Sequence, residues 1–173
     1  MLDLSSRWSL LSGTGFPGFA LGGIHMAQCA QWHQALVSGN AAAASEALGL
    51  RDRPAGAFEI VSGPLYAVAI ARDRLLVVSE TPFTHSEGWH SSGFAFTRMS
   101  DGYAIFDISG ERLEDLKNRA ANPSLVTGSR SARIDFAARG CLAYHYKSPD
   151  LLRIHIDRAY ADYLLAWIER SVR

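Results

Sequence analysis

The final quarter of the chain restricts its folding most. Residues 154–168 read Ile-His-Ile-Asp-Arg-Ala-Tyr-Ala-Asp-Tyr-Leu-Leu-Ala-Trp-Ile. Apolar residues first recur every second position and then every third or fourth. A period of two is that of a strand with two unlike faces, and a period near 3.6 is that of a helix with one apolar stripe. The spacing predicts a strand over 152–157 and a helix from Ala159 that buries Tyr160, Tyr163, Leu164, Trp167 and Ile168 at i, i+3, i+4, i+7 and i+8.

The segments before it repeat the alternation of strand and helix. Residues 94–99 predict a strand, Ser100-Asp101-Gly102 a hairpin turn, and 103–108 the returning strand. Ser109 is placed to cap a helix through Ala120, with Glu111 in its first turn and Leu113, Leu116 and Ala120 on its inner stripe; Asn122-Pro123 stops it. Strands follow at 133–137 and 142–147, the second joined to 152–157 through Ser148-Pro149-Asp150.

The first half is less regular. Residues 7–11 predict a short strand and 12–23, with five glycines and Pro17, turns or a loop. Those glycines do not form the array of a dinucleotide-binding turn. Residues 24–37 fit either a strand over 24–29 with irregular chain after it or a helix ending near Gly39. Asn40 and Gly49 bracket a short alanine-rich helix over 41–48. Residues 57–61, 65–71 and 75–79 predict strands; the last two are apolar on both faces, as in the middle of a covered sheet.

The expected class is α+β. Residues 1–173 form a single domain of two related units with antiparallel sheets, with a half boundary near 80–92, the longest polar connection. Seventeen basic and seventeen acidic side chains balance, so no nucleic-acid or membrane-surface partner is expected. Cys29 and Cys141 are far apart and suit a reducing compartment. No basic segment leads into an apolar run at the start, and no stretch approaches the ~18 apolar residues of a spanning helix. A soluble cytoplasmic protein is expected.

Four stretches resemble the gamma subunit family of heterotetrameric sarcosine oxidase. They are residues 63–78, the strand–helix junction Asp101-Gly102-Tyr103-Ala104-Ile105-Phe106-Asp107-Ile108-Ser109-Gly110-Glu111-Arg112-Leu113, residues 129–142, and above all 152–168, whose Tyr-Ala-Asp-Tyr-Leu-x-x-Trp matches the family's closing helix. The chain departs from the family pattern at residues 121–125 and at Leu165, where a second tryptophan is usual, and so reads as a divergent member. That family is related to the glycine-cleavage T-protein and the folate-binding aminomethyltransferase fold. The resemblance implies a non-catalytic small subunit that stabilises a large folate-binding subunit of a flavin-dependent sarcosine oxidase, or of a related N-methyl amine oxidase or dehydrogenase. It implies alpha, beta and delta partner subunits in a heterotetramer, with FAD, FMN, NAD, zinc and tetrahydrofolate held by those partners and none by this chain. The T-protein's essential aspartate has no assignable counterpart here. The alternative is a stand-alone folate- or small-ligand-binding protein of the same ancestry.

No residue is assigned to catalysis, to a cofactor or to a metal. Period two along each strand places Cys141, His145, Arg153, His155 and Asp157 on one face. Cys141 and His145 are then about 13 Å apart at ~3.3 Å per residue, too far for a nucleophile pair, so the expectation is a solvated or partner-facing surface. In the 80–92 loop, His85, Glu87 and His90 do not have the helical spacing of a zinc protease. Trp89 in a polar loop suits an interface anchor. The partner-interface candidates are therefore Phe83, His85, Trp89, His90, His145 and His155. Helical spacing assigns Tyr160, Tyr163 and Trp167 to packing rather than to stacking on a pterin ring.

Overall fold

The computed structural model describes residues 18–29, 31–121 and 128–173. The strand expected over 7–11, residues 12–17 of the glycine-rich loop and the Asn122-Pro123 stop lie outside them. The class is α+β. In chain order the strands are β1 (Phe19–Leu21), β2 (Ile24–Gln28), β3 (His33–Gly39), β4 (Ile60–Val61), β5 (Leu65–Ala71), β6 (Arg74–Ser79), β7 (Gly88–His90), β8 (Phe94–Arg98), β9 (Tyr103–Ser109), β10 (Arg133–Phe136), β11 (Arg139–Tyr146) and β12 (Leu151–Asp157). The helices are α1 (Ala41–Ala47), α2 (Leu113–Ala120) and α3 (Ala161–Val172), the last entered through a 3₁₀ turn at Arg158–Tyr160.

The strands form two sheets. One runs β1-β2-β9-β12-β11-β10, with β4 added in parallel beside β11; the other runs β5-β6-β3-β8-β7. Every other pairing between these strands is antiparallel. Three apolar clusters set the layers. Ile24, Met26, Phe106, Ile108, Ile154 and Ile156 meet α2 and α3 on the outer face of the larger sheet. Trp32, Tyr66, Val68, Leu76, Val78, Leu142 and Tyr144 lie between the sheets. Val37, Leu75, Val77, Phe94 and Phe96 meet α1 on the outer face of the smaller sheet. The order is helices, sheet, sheet, helix.

The 80–92 segment does not separate the sheets. It contains β7, which pairs with β8, and β8 in turn pairs with β3 from the first half. β2 from the first half pairs with β9 from the second. The ambiguity over 24–37 resolves into two strands, β2 and β3. β6 is covered on both faces as its apolar run requires, but β5 is an edge strand. Its free side is closed by Ala55, which donates to Ala67 O and accepts from Ala69 N, and by Ala132 N donating to Ala69 O. An edge sealed this way explains an apolar strand where a solvated one is usual.

Helix α1 begins where Asn40 accepts from Ala43 N, and Gly49 at φ +70° terminates it. Helix α2 starts later than Ser109 suggests. Gly110 holds φ +126°, and a Cβ there would meet Gly23 O at 2.2 Å. This corner, open only to glycine, keeps 109–110 in line with β9, so Ser109 ends a strand and Glu114 and Asp115 occupy the first helical turn. Helix α3 buries Ala161, Leu164, Ile168 and Val172. Tyr160 and Tyr163, expected inside, are 43% and 37% exposed, with the Arg139 guanidinium over their rings at 5.0 and 4.7 Å. The 3₁₀ turn rotates the stripe: Asp157 caps the turn by accepting from Ala159 N, and the regular helix begins at Ala161.

Candidate functional site

His145 and His155 do not share a face. In the β11–β12 register Leu142 lies opposite His155, Tyr144 opposite Arg153 and His145 opposite Leu152. Directly opposed residues project to the same side of a sheet. His145 and Cys141 therefore face the helices with Leu152, Ile154 and Ile156, while His155 and Arg153 face the other sheet with Leu142, Tyr144 and Tyr146. Both histidines are buried, at 4% and 0% exposure. Neither offers surface to a partner, which corrects the expectation of a shared exposed face.

His155 belongs to a hydrogen-bonded chain between the sheets. The Asp107 carboxylate on β9 accepts from Arg153 Nε at 2.6 Å and Nη2 at 2.7 Å. Arg153 Nη1 donates to Tyr66 Oη at 2.9 Å, Tyr66 and Tyr144 hydroxyls meet at 2.8 Å, and Tyr144 Oη lies 2.6 Å from His155 Nε2. His155 Nδ1 is 2.7 Å from Gln34 Oε1, and Gln34 Nε2 donates to Tyr103 O. The end groups set every direction. Gln34 Oε1 only accepts, so Nδ1 carries the proton, Nε2 accepts from Tyr144, and Tyr144 accepts from Tyr66. The Arg153 guanidinium also lies against the Tyr146 ring, 3.8 Å from its centroid, and the Trp32 ring at 4.6 Å.

Burial is the largest single influence on the shifts within this network and at the two thiols. Burial, with Arg153 nearby, pushes His155 down to about 3. Burial raises the Tyr66 hydroxyl to about 12 and the Tyr144 hydroxyl well above its ordinary value. Burial works against the charge on Arg153, but its bonds to Asp107 and the nearby oxygens of Tyr66, Asp107 and Tyr144 together outweigh that and raise it. Both thiols are held at about 12, Cys29 by burial and then Asp107, Cys141 by burial and then Asp135. None of these groups titrates near neutrality, where a general base, general acid or thiolate nucleophile works. With Gln34, Tyr144, Arg153 and His155 all at 2% exposure or less, no substrate atom reaches them. The chain ties β3, β5, β9, β11 and β12 together. On the opposite face, His145 Nε2 lies 3.3 Å from Lys117 Nζ, which also reaches Glu114 and sits over the Phe58 ring. Burial and then Lys117 lower the His145 pKa.

The 80–92 loop packs along the edge of the smaller sheet. Phe83 meets Phe96 edge-on, His85 tilts over Phe96 and contacts Ala47 O at 3.1 Å, and His90 stacks on Phe94 at 4.5 Å with Nε2 2.9 Å from Ser86 O. Glu87 accepts from Arg98 N at 2.8 Å. His85, Glu87 and His90 are thus each engaged separately, and no group of three ligating side chains forms among the described residues. Trp89 is left pointing out, 72% exposed, on β7, the terminal strand of its sheet. Its isolation in a polar loop is what marks Trp89 in the sequence. The sequence does not single out Gln34, Tyr66, Asp107 or Tyr144, and it sets Arg153 beside His155 only on an expected surface face, because nothing along one strand shows which polar residues meet between two sheets.

No helix among the described residues is long and apolar enough to cross a membrane. No family model and no curated protein matches the sequence. Among solved structures, the chain is similar to a chain of the heterotetrameric sarcosine oxidase from Corynebacterium sp. U-96, solved in complex with pyrrole 2-carboxylate. The TM-score is 0.68 at 12% identity, over 98% of this chain and 92% of that one. Such coverage makes the two chains similar in length, and at this identity what they share is the fold.

Proposed function

We propose that this chain is a non-catalytic small subunit, of the gamma type, in a multisubunit flavin-dependent oxidase or dehydrogenase acting on sarcosine or another N-methyl amine. The observation that carries the reading is the fold likeness across nearly the whole of both chains to one chain of a heterotetrameric sarcosine oxidase. The buried chain from Asp107 to Gln34 supports it, because the ionisable side chains there are spent on joining two sheets. In the parent reaction the N-methyl carbon is oxidised to an iminium and the one-carbon unit passes to tetrahydrofolate. The flavins FAD and FMN, NAD, zinc and folate belong to the larger alpha and beta and the small delta partners. This chain holds the large folate-binding subunit in shape, within the cytoplasm. Trp89 is the contact anchor, with Phe83, His85 and His90 bracing the loop beneath it.

The test is capture of partners from native cell extract with a tagged chain, followed by mass spectrometry and a visible absorbance scan. Larger subunits in stoichiometric amount and a flavin spectrum are expected. A clean monomer with no flavoprotein companion overturns the proposal. Trp89→Ala should weaken capture by about thirtyfold, the effect of losing an interface hot spot of ~2 kcal/mol, while leaving the circular dichroism of the free chain unchanged.

A further inference from the structure

A groove of about 800 Å³ lies on the edge of the smaller sheet, away from Trp89 and from the buried polar chain. Its walls are the loop carrying Arg53 and Glu59, the β5–β6 hairpin with Arg72 at its tip, and the segment carrying Arg130 and Ser131. The loop and that segment are locked together. A Cβ on Gly56 would lie 2.0 Å from Ser129 O, Ala57 N donates to Ser131 O, and Ser131 Oγ donates to Ile70 O at 2.7 Å. The groove is therefore a feature of the folded backbone rather than of loose side chains.

Its chemistry has two parts. The floor is apolar, from Pro54, Ala71 and Leu75. The rim carries three guanidiniums against one carboxylate among the described residues. Glu59 is already engaged: its Oε1 accepts from Arg53 at 2.7 Å, and its Oε2 accepts from Arg53 at 2.9 Å and from Gly56 N at 2.7 Å. That leaves Arg72 and Arg130 without a carboxylate among the described residues. Guanidinium presents a planar fork of donors that matches a carboxylate or another oxyanion. An apolar floor below cationic groups fits a molecule with a carbon skeleton and an anionic end. Bare phosphate or a polar polymer would leave the floor without a contact.

We propose that this groove binds a small organic acid, its skeleton over Pro54, Ala71 and Leu75 and its anionic group between Arg72 and Arg130. The proposal does not depend on the subunit role.

The probe is 8-anilinonaphthalene-1-sulfonate, an anion on two aromatic systems, followed by its fluorescence on the purified full chain. Saturable one-to-one binding is expected, weakening as salt is raised. It should be displaced by 2-naphthoate and not by the uncharged 2-naphthamide. The double variant Arg72→Glu/Arg130→Glu should lose at least about tenfold in affinity, with unchanged circular dichroism since both side chains are exposed. Arg72→Lys/Arg130→Lys, which keeps the charge, should retain most of it. Failure of the wild-type chain to saturate, equal displacement by the amide, or undiminished binding by the charge-reversed variant would each overturn the proposal.

Discussion

Tyr144 is the residue on which the join between the two sheets turns, since its hydroxyl both accepts from Tyr66 and donates to His155. Tyr144→Phe leaves a buried donor and a buried acceptor unmatched, and chemical denaturation should show a loss of about 1–3 kcal/mol. Asp107→Ala is more damaging, because it strands the Arg153 charge at 2% exposure; a loss of about 3–5 kcal/mol is expected by the same measurement. His155 makes the protein acid-sensitive. It is neutral when folded, with a pKa of about 3 against an ordinary value of 6.5. Below 6.5 the unfolded chain takes up a proton that the folded chain refuses, so stability is full above that value and falls as pH drops toward 3. Thermal melts at pH 7, 5 and 4 should show a falling midpoint, and His155→Gln should flatten that slope. No single-strand pattern reveals this network. Period two ranks residues along one strand, but the face that two strands share depends on register, and with both faces of β11 and β12 buried, burial does not choose between registers.

Among the elements, the β10–β11 connection is strained. Ala137 and Ala138 both sit at positive φ, 54° and 58°, a hairpin turn that ordinarily takes Asn-Gly. It is held by Ala137 N donating to Ala120 O and by Tyr163 Oη donating to Ala137 O, which ties the turn to α2 and α3. Ala138→Gly relieves a left-handed penalty of about 1–2 kcal/mol against a chain-entropy cost of about 0.5–1 kcal/mol, and should raise the denaturation midpoint. Ala137→Val, β-branched at positive φ and buried, should lower it. Leu164→Ala on α3, at 0% exposure, should cost about 2–5 kcal/mol. Local chemistry was legible where one residue decides the outcome: Asn40 and Gly49 bracket α1, and Asp101-Gly102 turns β8 into β9. It was not legible where a distant backbone decides. Gly23 pressed on Gly110 delays α2, and a 3₁₀ turn shifts the stripe of α3 by one position, so that Tyr160 and Tyr163 meet Arg139 instead of filling the core.

At the scale of the molecule, the class and the antiparallel pairing follow from strand periods and hairpin turns, but the partition into sheets does not. β8 joins β3 and β9 joins β2 across some sixty to eighty residues, and no local signal encodes such pairings. The polar stretch over 80–92 resembles a linker in composition, yet it carries β7 and runs beside the smaller sheet. A chain divided within it should yield two fragments that each lack a cooperative denaturation transition, and mixing the fragments should restore one.

β12 sits in the middle of its sheet, between β9 and β11, although every other strand precedes it in the chain. Until residues 151–157 have been made, β9 and β11 each carry an unpaired edge, and the larger sheet cannot close. Co-expressed chaperone should therefore raise its soluble yield in a foreign host, and an unchanged yield would speak against an exposed intermediate.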